Sequence, residues 1–84
     1  MRIDKFLKNS RIIKRRTIAK EACDGGRVEI NGQKAKAGSE IEIGDQVKIS
    51  FGSEPMVIRV LSLPEIVKKG DAEKMYEILG EENE

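Results

Sequence analysis

Eight basic side chains crowd the first twenty residues: Arg2, Lys5, Lys8, Arg11, Lys14, Arg15, Arg16 and Lys20. From Lys8 to Lys20 there is not one acid. Arginine forks two hydrogen bonds onto phosphate oxygens, whereas lysine supplies a compact point charge. A phosphate backbone is the natural partner of such a set. The spacing supports this. Arg2, Lys5 and Lys8 recur every three residues and would form one ridge on a helix, and Arg16 and Lys20 are four apart on the next.

The net charge of +1 hides this concentration. Residues 1–36 hold eleven Lys/Arg against four Asp/Glu, giving +7, and residues 37–84 hold five against eleven, giving −6. Such asymmetry points to a polyanion-binding face, most often for nucleic acid. Charge alone leaves a solvated basic surface, balanced by an acidic one, equally open.

Other chemistry is poorly supplied. The chain has no histidine, so it lacks the commonest general base and metal ligand. A single cysteine, Cys23, excludes Cys-x-x-Cys metal sites and internal disulfides, in keeping with a reducing cytoplasm. The glycines fit neither the phosphate-loop nor the dinucleotide fingerprint. Asp4, Glu21 and Asp24 read better as helix-end charges or local partners for arginine than as catalytic carboxylates. Cys23 falls on an apolar helix side and reads as a small buried residue. Tyr76 reads as a packing aromatic before a binding one. No enzyme activity, cofactor or metal is expected.

Aromatics are scarce: Phe6, Phe51 and Tyr76. Phe6 and Phe51 fall on core-facing positions, which leaves no platform for stacking splayed bases. Recognition of folded RNA by shape and backbone fits better.

The basic residues need elements to hold them. Ile3, Phe6 and Leu7 fall at i, i+3, i+4 and predict a short amphipathic helix. Asn9-Ser10 ends it, and Ile12 and Ile13 plug the core at a turn. A second helix is expected from about Arg16 to Cys23, with Ile18, Ala19, Ala22 and Cys23 on its buried face. Asp24-Gly25-Gly26 closes it with a left-handed glycine. The period then changes to two. Val28 and Ile30 lead into Asn31-Gly32, the strongest short hairpin signal. Ile41 and Ile43, a Gly44-Asp45 turn, then Val47, Ile49 and Phe51 read as further strand, as does Met56–Leu61 after a break at "GSEP". Ser62 and Pro64 suggest the start of a C-terminal helix carrying Ile66, Val67, Met75, Ile78 and Leu79. The last residues, Glu81–Glu84, are expected to fray.

These motifs resemble the S-four RNA-binding domain, also called the alpha-L domain. The likeness covers about Met1–Ser50. It rests on Arg2-x-Asp4, Leu7, Arg15-Arg16-x-x-Ala19, Gly26-x-Val28-x-Ile30-Asn31-Gly32 and Gly44-Asp45. Each fragment is weak alone, but their combined spacing is specific. One departure is Arg15, where many members carry a serine N-cap; the change removes a side-chain cap and adds a charge. The resemblance implies an α+β fold, two short N-terminal helices packed on a small twisted antiparallel sheet, at residues 1–62. A helical tail follows at 63–84. It also implies RNA contacts by Arg2, Lys5, Arg15, Arg16 and Lys20.

Many members carry this domain beside an enzyme, and this chain shows no such partner domain. It looks like the stand-alone members of ribosome-associated quality control. That likeness implies a non-catalytic factor that binds peptidyl-tRNA and rRNA on obstructed large ribosomal subunits. It would act with a tail-elongating quality-control factor to add C-terminal alanine tails. The alternative is a general RNA chaperone or ribosome-assembly factor, or a protein-interaction module with an acidic partner. A cytoplasmic monomer without membrane contact is expected, since no apolar run approaches the ~20 residues a bilayer requires and no signal peptide is evident.

Overall fold

The first helix forms where the apolar spacing places it. In the computed structural model, which describes residues 1–51 and 54–81, α1 spans Ile3–Asn9. Ile3, Phe6 and Leu7 are fully buried. Burial of each such side chain is worth about 1.5–3 kcal/mol, which fixes the rotation of α1 and turns Lys5 and Lys8 away from the core. A second helix, α2, spans Arg16–Asp24 and buries Ala19, Ala22 and Cys23. Ile18 departs from the expected face and is 41% exposed. The buried stripe is narrow because Ala19, Ala22 and Cys23 alone complete the i, i+3, i+4 seam, leaving Ile18 on its flank.

Five antiparallel strands follow: β1 (Val28–Ile30), β2 (Gln33–Lys34), β3 (Gln46–Phe51), β4 (Glu54–Val60) and β5 (Tyr76–Glu81). Their spatial order is β2-β1-β3-β4-β5. Buried residues sit opposite one another across the sheet: Val28 faces Ile49, and Val47 faces Ile58. These cross-strand pairs fix the register, since a one-residue slip would turn them all to solvent. They join the helix residues in one core. Asn31 and Gly32 adopt φ of 52° and 85°, the two positive values a type I′ hairpin turn requires.

Three expectations need correction. The Ile41–Ile43 segment is not a strand of the sheet. Ile41 is buried and Ile43 is 65% exposed. The segment pairs with the N-terminus instead: the Ile41 N–H donates to the Met1 carbonyl at 2.9 Å, and Ile3 N–H donates to the Ser39 carbonyl at 2.8 Å. The Asp45 carboxylate then accepts from the Glu42 N–H at 2.8 Å and closes the chain into a turn. Phe51 is not a core residue either; it is 36% exposed. It continues the inward alternation of Val47 and Ile49 past the edge of the core, into a shallow groove shared with Ile18.

The expected C-terminal helix is also absent among the described residues. Ala72–Lys74 makes one 3-10 turn, and β5 pairs with β4. Gly70, at a φ of +89°, breaks the helical reading. Met75 fills the core from just before the strand. Leu79 is one residue extra opposite the Val57–Ile58 step, a bulge that a positive φ at Gly80 accommodates. Ile66 and Ile78 point outward, 77% and 62% exposed. Ser62 starts no helix; its hydroxyl donates to the Lys74 carbonyl at 3.3 Å. The break at "GSEP" falls partly outside the described residues, and so does the fraying expected of Glu81–Glu84, of which Glu81 alone is described, as the last residue of β5.

Candidate nucleic-acid interface

The site is organised by an acid. Asp4, in the first turn of α1, is buried, with its side chain only 3% exposed. Burying a carboxylate is costly unless it is paired and hydrogen-bonded. Here Arg2 donates from Nε to Oδ1 and from Nη2 to Oδ2, both at 3.2 Å. The Lys5 N–H donates to Oδ1 at 2.8 Å. Arg16 approaches from the start of α2, with Nε 3.5 Å from Oδ2 and Nη2 3.5 Å from Oδ1. Two cations on one carboxylate leave a local surplus of one positive charge. Both guanidiniums are about half exposed, so their remaining donors face solvent.

Fold elements bring these residues together. The antiparallel bridge between Arg2 and Glu40 anchors the chain just before α1. The packing of α1 on α2 carries Arg16 to Asp4. Arg2, Lys5 and Arg16 therefore line one open groove together with Glu40, and Leu63, Glu65 and Ile66 line it from the C-terminal segment. Lys8, Arg11 and Lys14 line a second groove, with Val67. Lys5 and Lys8, one turn apart on α1, link the two. Arg15 and Lys20 stand outside both grooves, exposed on α2. Arg15 is the N-cap of α2 and makes no side-chain cap, as its replacement of a serine implies.

Arg11 has a conformation that its residue type does not favour. It follows the C-cap Ser10 at a φ of +63°, the left-handed position where helices usually place glycine. Ser10 N–H donates to the Phe6 carbonyl at 2.8 Å, and Arg11 N–H to the Lys8 carbonyl at 3.0 Å, so the turn is closed by backbone bonds.

Sequence reasoning missed the wall opposite α1. Leu63, Ile66 and Val67 line the two basic grooves, and Lys68 and Lys69 follow them in sequence. The adjacent lysines before Gly70 were a visible signal, hidden by the acidic total of the C-terminal half.

Cys23 and Asp24 have structural surroundings. Cys23 is fully buried, and burial first, then the negative charges of Asp4 and Asp24, push its thiol up to about 11. It stays a protonated thiol at neutral pH. Asp24 accepts a hydrogen bond from the Ala37 N–H at 3.0 Å. Tyr76 is half-buried and packs against the core. No group of His, Cys, Asp and Glu among the described residues could hold a metal ion, and no helix among them is long and apolar enough to cross a membrane.

The S4 domain family model matches residues 1–47, the segment that contains both helices and the Asn31-Gly32 hairpin. The chain belongs to the S4 domain family. It is 51% identical over 81 residues to the RQC P-site tRNA stabilizing factor of Streptococcus pneumoniae, covering 96% of this chain and 92% of that protein. It is 51% identical over 82 residues to the protein of the same name from Bacillus subtilis, covering 98% of this chain and 95% of that one. Among solved structures it is similar to the trimeric Heat Shock Protein 15 of Vibrio cholerae, with a TM-score of 0.84 and 30% identity over 93% of this chain and 80% of that one.

Proposed function

We propose that this S4 domain protein is a non-catalytic RNA-binding factor of ribosome-associated quality control. It holds tRNA on obstructed large ribosomal subunits and contacts rRNA there, while a tail-elongating factor adds alanine to the stalled chain. The observation that carries this reading is the buried Asp4 fork. It fixes Arg2 and Arg16 with free donors outward, beside Lys5, in a groove whose acids are Glu65 and Glu40, the latter paired with the N-terminal amine at 3.1 Å. Preformed arginine forks suit phosphate oxygens, and fixing them in advance lowers the entropic cost of binding. The near-full-length likeness to proteins named for stabilising P-site tRNA supports the ribosomal setting. Arg2, Lys5, Lys8, Arg11, Lys14 and Arg16 carry the contact in this reading, and Arg15 and Lys20 extend it along α2. The protein acts where ribosomes are, in the cytoplasm.

Co-sedimentation with large subunits tests the proposal. Subunits carrying peptidyl-tRNA should retain the protein in preference to empty ones, and Arg2→Ala with Arg16→Ala should abolish that preference. Equal retention by both subunit forms would favour the general RNA chaperone. Alanine tailing in a reconstituted system, with and without the protein, tests the later step.

A further inference from the structure

The basic surface does not end where the S4 match ends at residue 47. A third groove, of about 490 Å³, opens beside the second and shares Arg11 and Val67 with it. Lys68 and Lys69 stand on its far rim, and Ala72 and Tyr76 also line it. Glu73 is the one acid among the lining residues. We infer that Arg11, Lys68 and Lys69 form a second phosphate-binding site, which takes the RNA backbone across the C-terminal segment. This rests on the reading of the protein as an RNA-binding factor.

Both rims are held in fixed turns. Arg11 is locked at its positive φ by the closed C-terminus of α1. Opposite it, the Asp71 carboxylate accepts from the Lys68 N–H at 2.9 Å, and the Asp71 N–H donates to the Lys68 carbonyl at 2.9 Å. Gly70, at φ +89°, permits that tight turn and leaves both lysine side chains exposed. The turn and the arginine that faces it bring three positive charges, of Arg11, Lys68 and Lys69, against two carboxylates, of Asp71 and Glu73, and that of Asp71 already accepts from the Lys68 N–H. The space between is of the size that takes a nucleotide-sized group. The apolar lining residues Val67, Ala72 and Tyr76 suit the ribose and base face between successive phosphates. Continuity with the second groove gives one strand a path from Lys8 and Lys14 to Lys68 and Lys69.

The test is a salt titration of binding to fluorescently labelled tRNA. Three forms are compared: the unaltered chain, Lys68→Ala with Lys69→Ala, and Lys68→Arg with Lys69→Arg. The alanine pair should weaken binding several-fold and make the slope of log K against log salt shallower by about 0.7–1.8, one or two released counterions. The arginine pair should retain both affinity and slope. Because the lysines are exposed, both variants should melt as the unaltered chain does, and circular dichroism checks this. Binding by the alanine pair equal to the unaltered chain in affinity and slope, while Arg2→Ala with Arg16→Ala binds weakly, overturns this second site and leaves the primary one standing. Absence of tRNA binding by the unaltered chain overturns the RNA-binding reading itself, and the second site with it.

Discussion

Arg16 reaches from the first position of α2 to the buried carboxylate of Asp4 on α1, at 3.5 Å, with half its side chain still exposed. On the proposed RNA-binding reading, that geometry assigns Arg16 two roles of unequal weight. The contact with Asp4 is long, and Arg2 and the Lys5 N–H satisfy the same carboxylate at shorter range. Half-exposed ion pairs are worth about 0–1 kcal/mol. Arg16→Ala should therefore cost the fold no more than that. Its loss from an RNA complex should be larger, roughly 1.5–3 kcal/mol, the range for a charge-assisted hydrogen bond. Arg16→Lys should restore part of the affinity, since a lysine lacks the fork. Melting temperature and subunit co-sedimentation separate the roles. A drop in melting temperature matching the lost binding would make Arg16 a brace between helices.

Asp4 gives the opposite test, because charge and geometry predict different signs. Asp4→Asn adds one unit of positive charge to the basic face, so charge counting predicts tighter RNA binding. Geometry predicts weaker binding, because Arg2 and Arg16 lose the anion that aims them. We expect a loss of stability of about 1–3 kcal/mol, as hydrogen bonds to a charged group are removed, and weaker retention on tRNA-loaded subunits. Tighter binding by folded Asp4→Asn would show that the fork has no positioning role.

These residues also show how much of the protein was legible in its sequence. Ile3, Phe6 and Leu7 declared α1, and Asn31-Gly32 declared the hairpin, because both signals are local. The identity of the basic residues was equally plain. Their division into two grooves was not. It depends on the strap from Leu63 to Asp71, whose position is set by β5 pairing with β4, a contact distant in sequence. The strand Tyr76–Glu81 looked helical because Met75, Ile78 and Leu79 match helical spacing. The bulge at Leu79 disturbs the strand period, and tertiary pairing overrides the local preference. Ile41 misled in another way. Its burial was correct, but against the N-terminus, where no periodicity points.

Cys23 should be chemically silent in the folded protein. Its thiol is buried and pushed up to about 11 from an ordinary value of 9.0. The folded state holds its proton more tightly than the unfolded one, so this residue's contribution to stability is complete below pH 9 and falls as pH rises from 9 towards 11. At pH 8, iodoacetamide should label the native chain far more slowly than the urea-unfolded chain. Equal rates would show that α2 opens readily and that the core around Cys23 is not closed.

Gly32 is expected to matter for backbone reasons alone. A Cβ at this position would meet nothing within 4 Å, yet φ is +85°. Gly32→Val therefore brings no clash with neighbours, only a β-branched residue forced into a left-handed conformation. The cost should be about 1 kcal/mol or more. The turn is further held by Asn31, whose side chain donates to Asp45 Oδ1 at 3.1 Å and accepts from the Gln46 N–H at 2.9 Å. Those bonds keep the hairpin from relaxing into another turn. Chemical denaturation measures the loss, and a midpoint equal to that of the unaltered chain would mean the hairpin does not use a type I′ turn under strain.

Arg11 makes the converse case, a residue that the fold would do better without. It occupies the C′ position of α1 at φ +63°, where glycine carries no side-chain penalty. For an L-residue that conformation costs roughly 1–2 kcal/mol. The penalty is partly offset because glycine would loosen the unfolded chain. Arg11→Gly should consequently melt at the same temperature as the unaltered chain or higher. Its binding to tRNA should weaken, and the salt dependence should become shallower by about 0.7–0.9, one phosphate contact. A gain in stability joined to a loss in affinity is the mark of backbone strain kept for a contact made outside the fold. Arg11→Lys separates the charge from the backbone: it keeps the strained conformation and should keep most of the binding. If Arg11→Gly lowers the melting temperature, the guanidinium serves the fold itself, and strain kept for a phosphate contact is the wrong account of this turn.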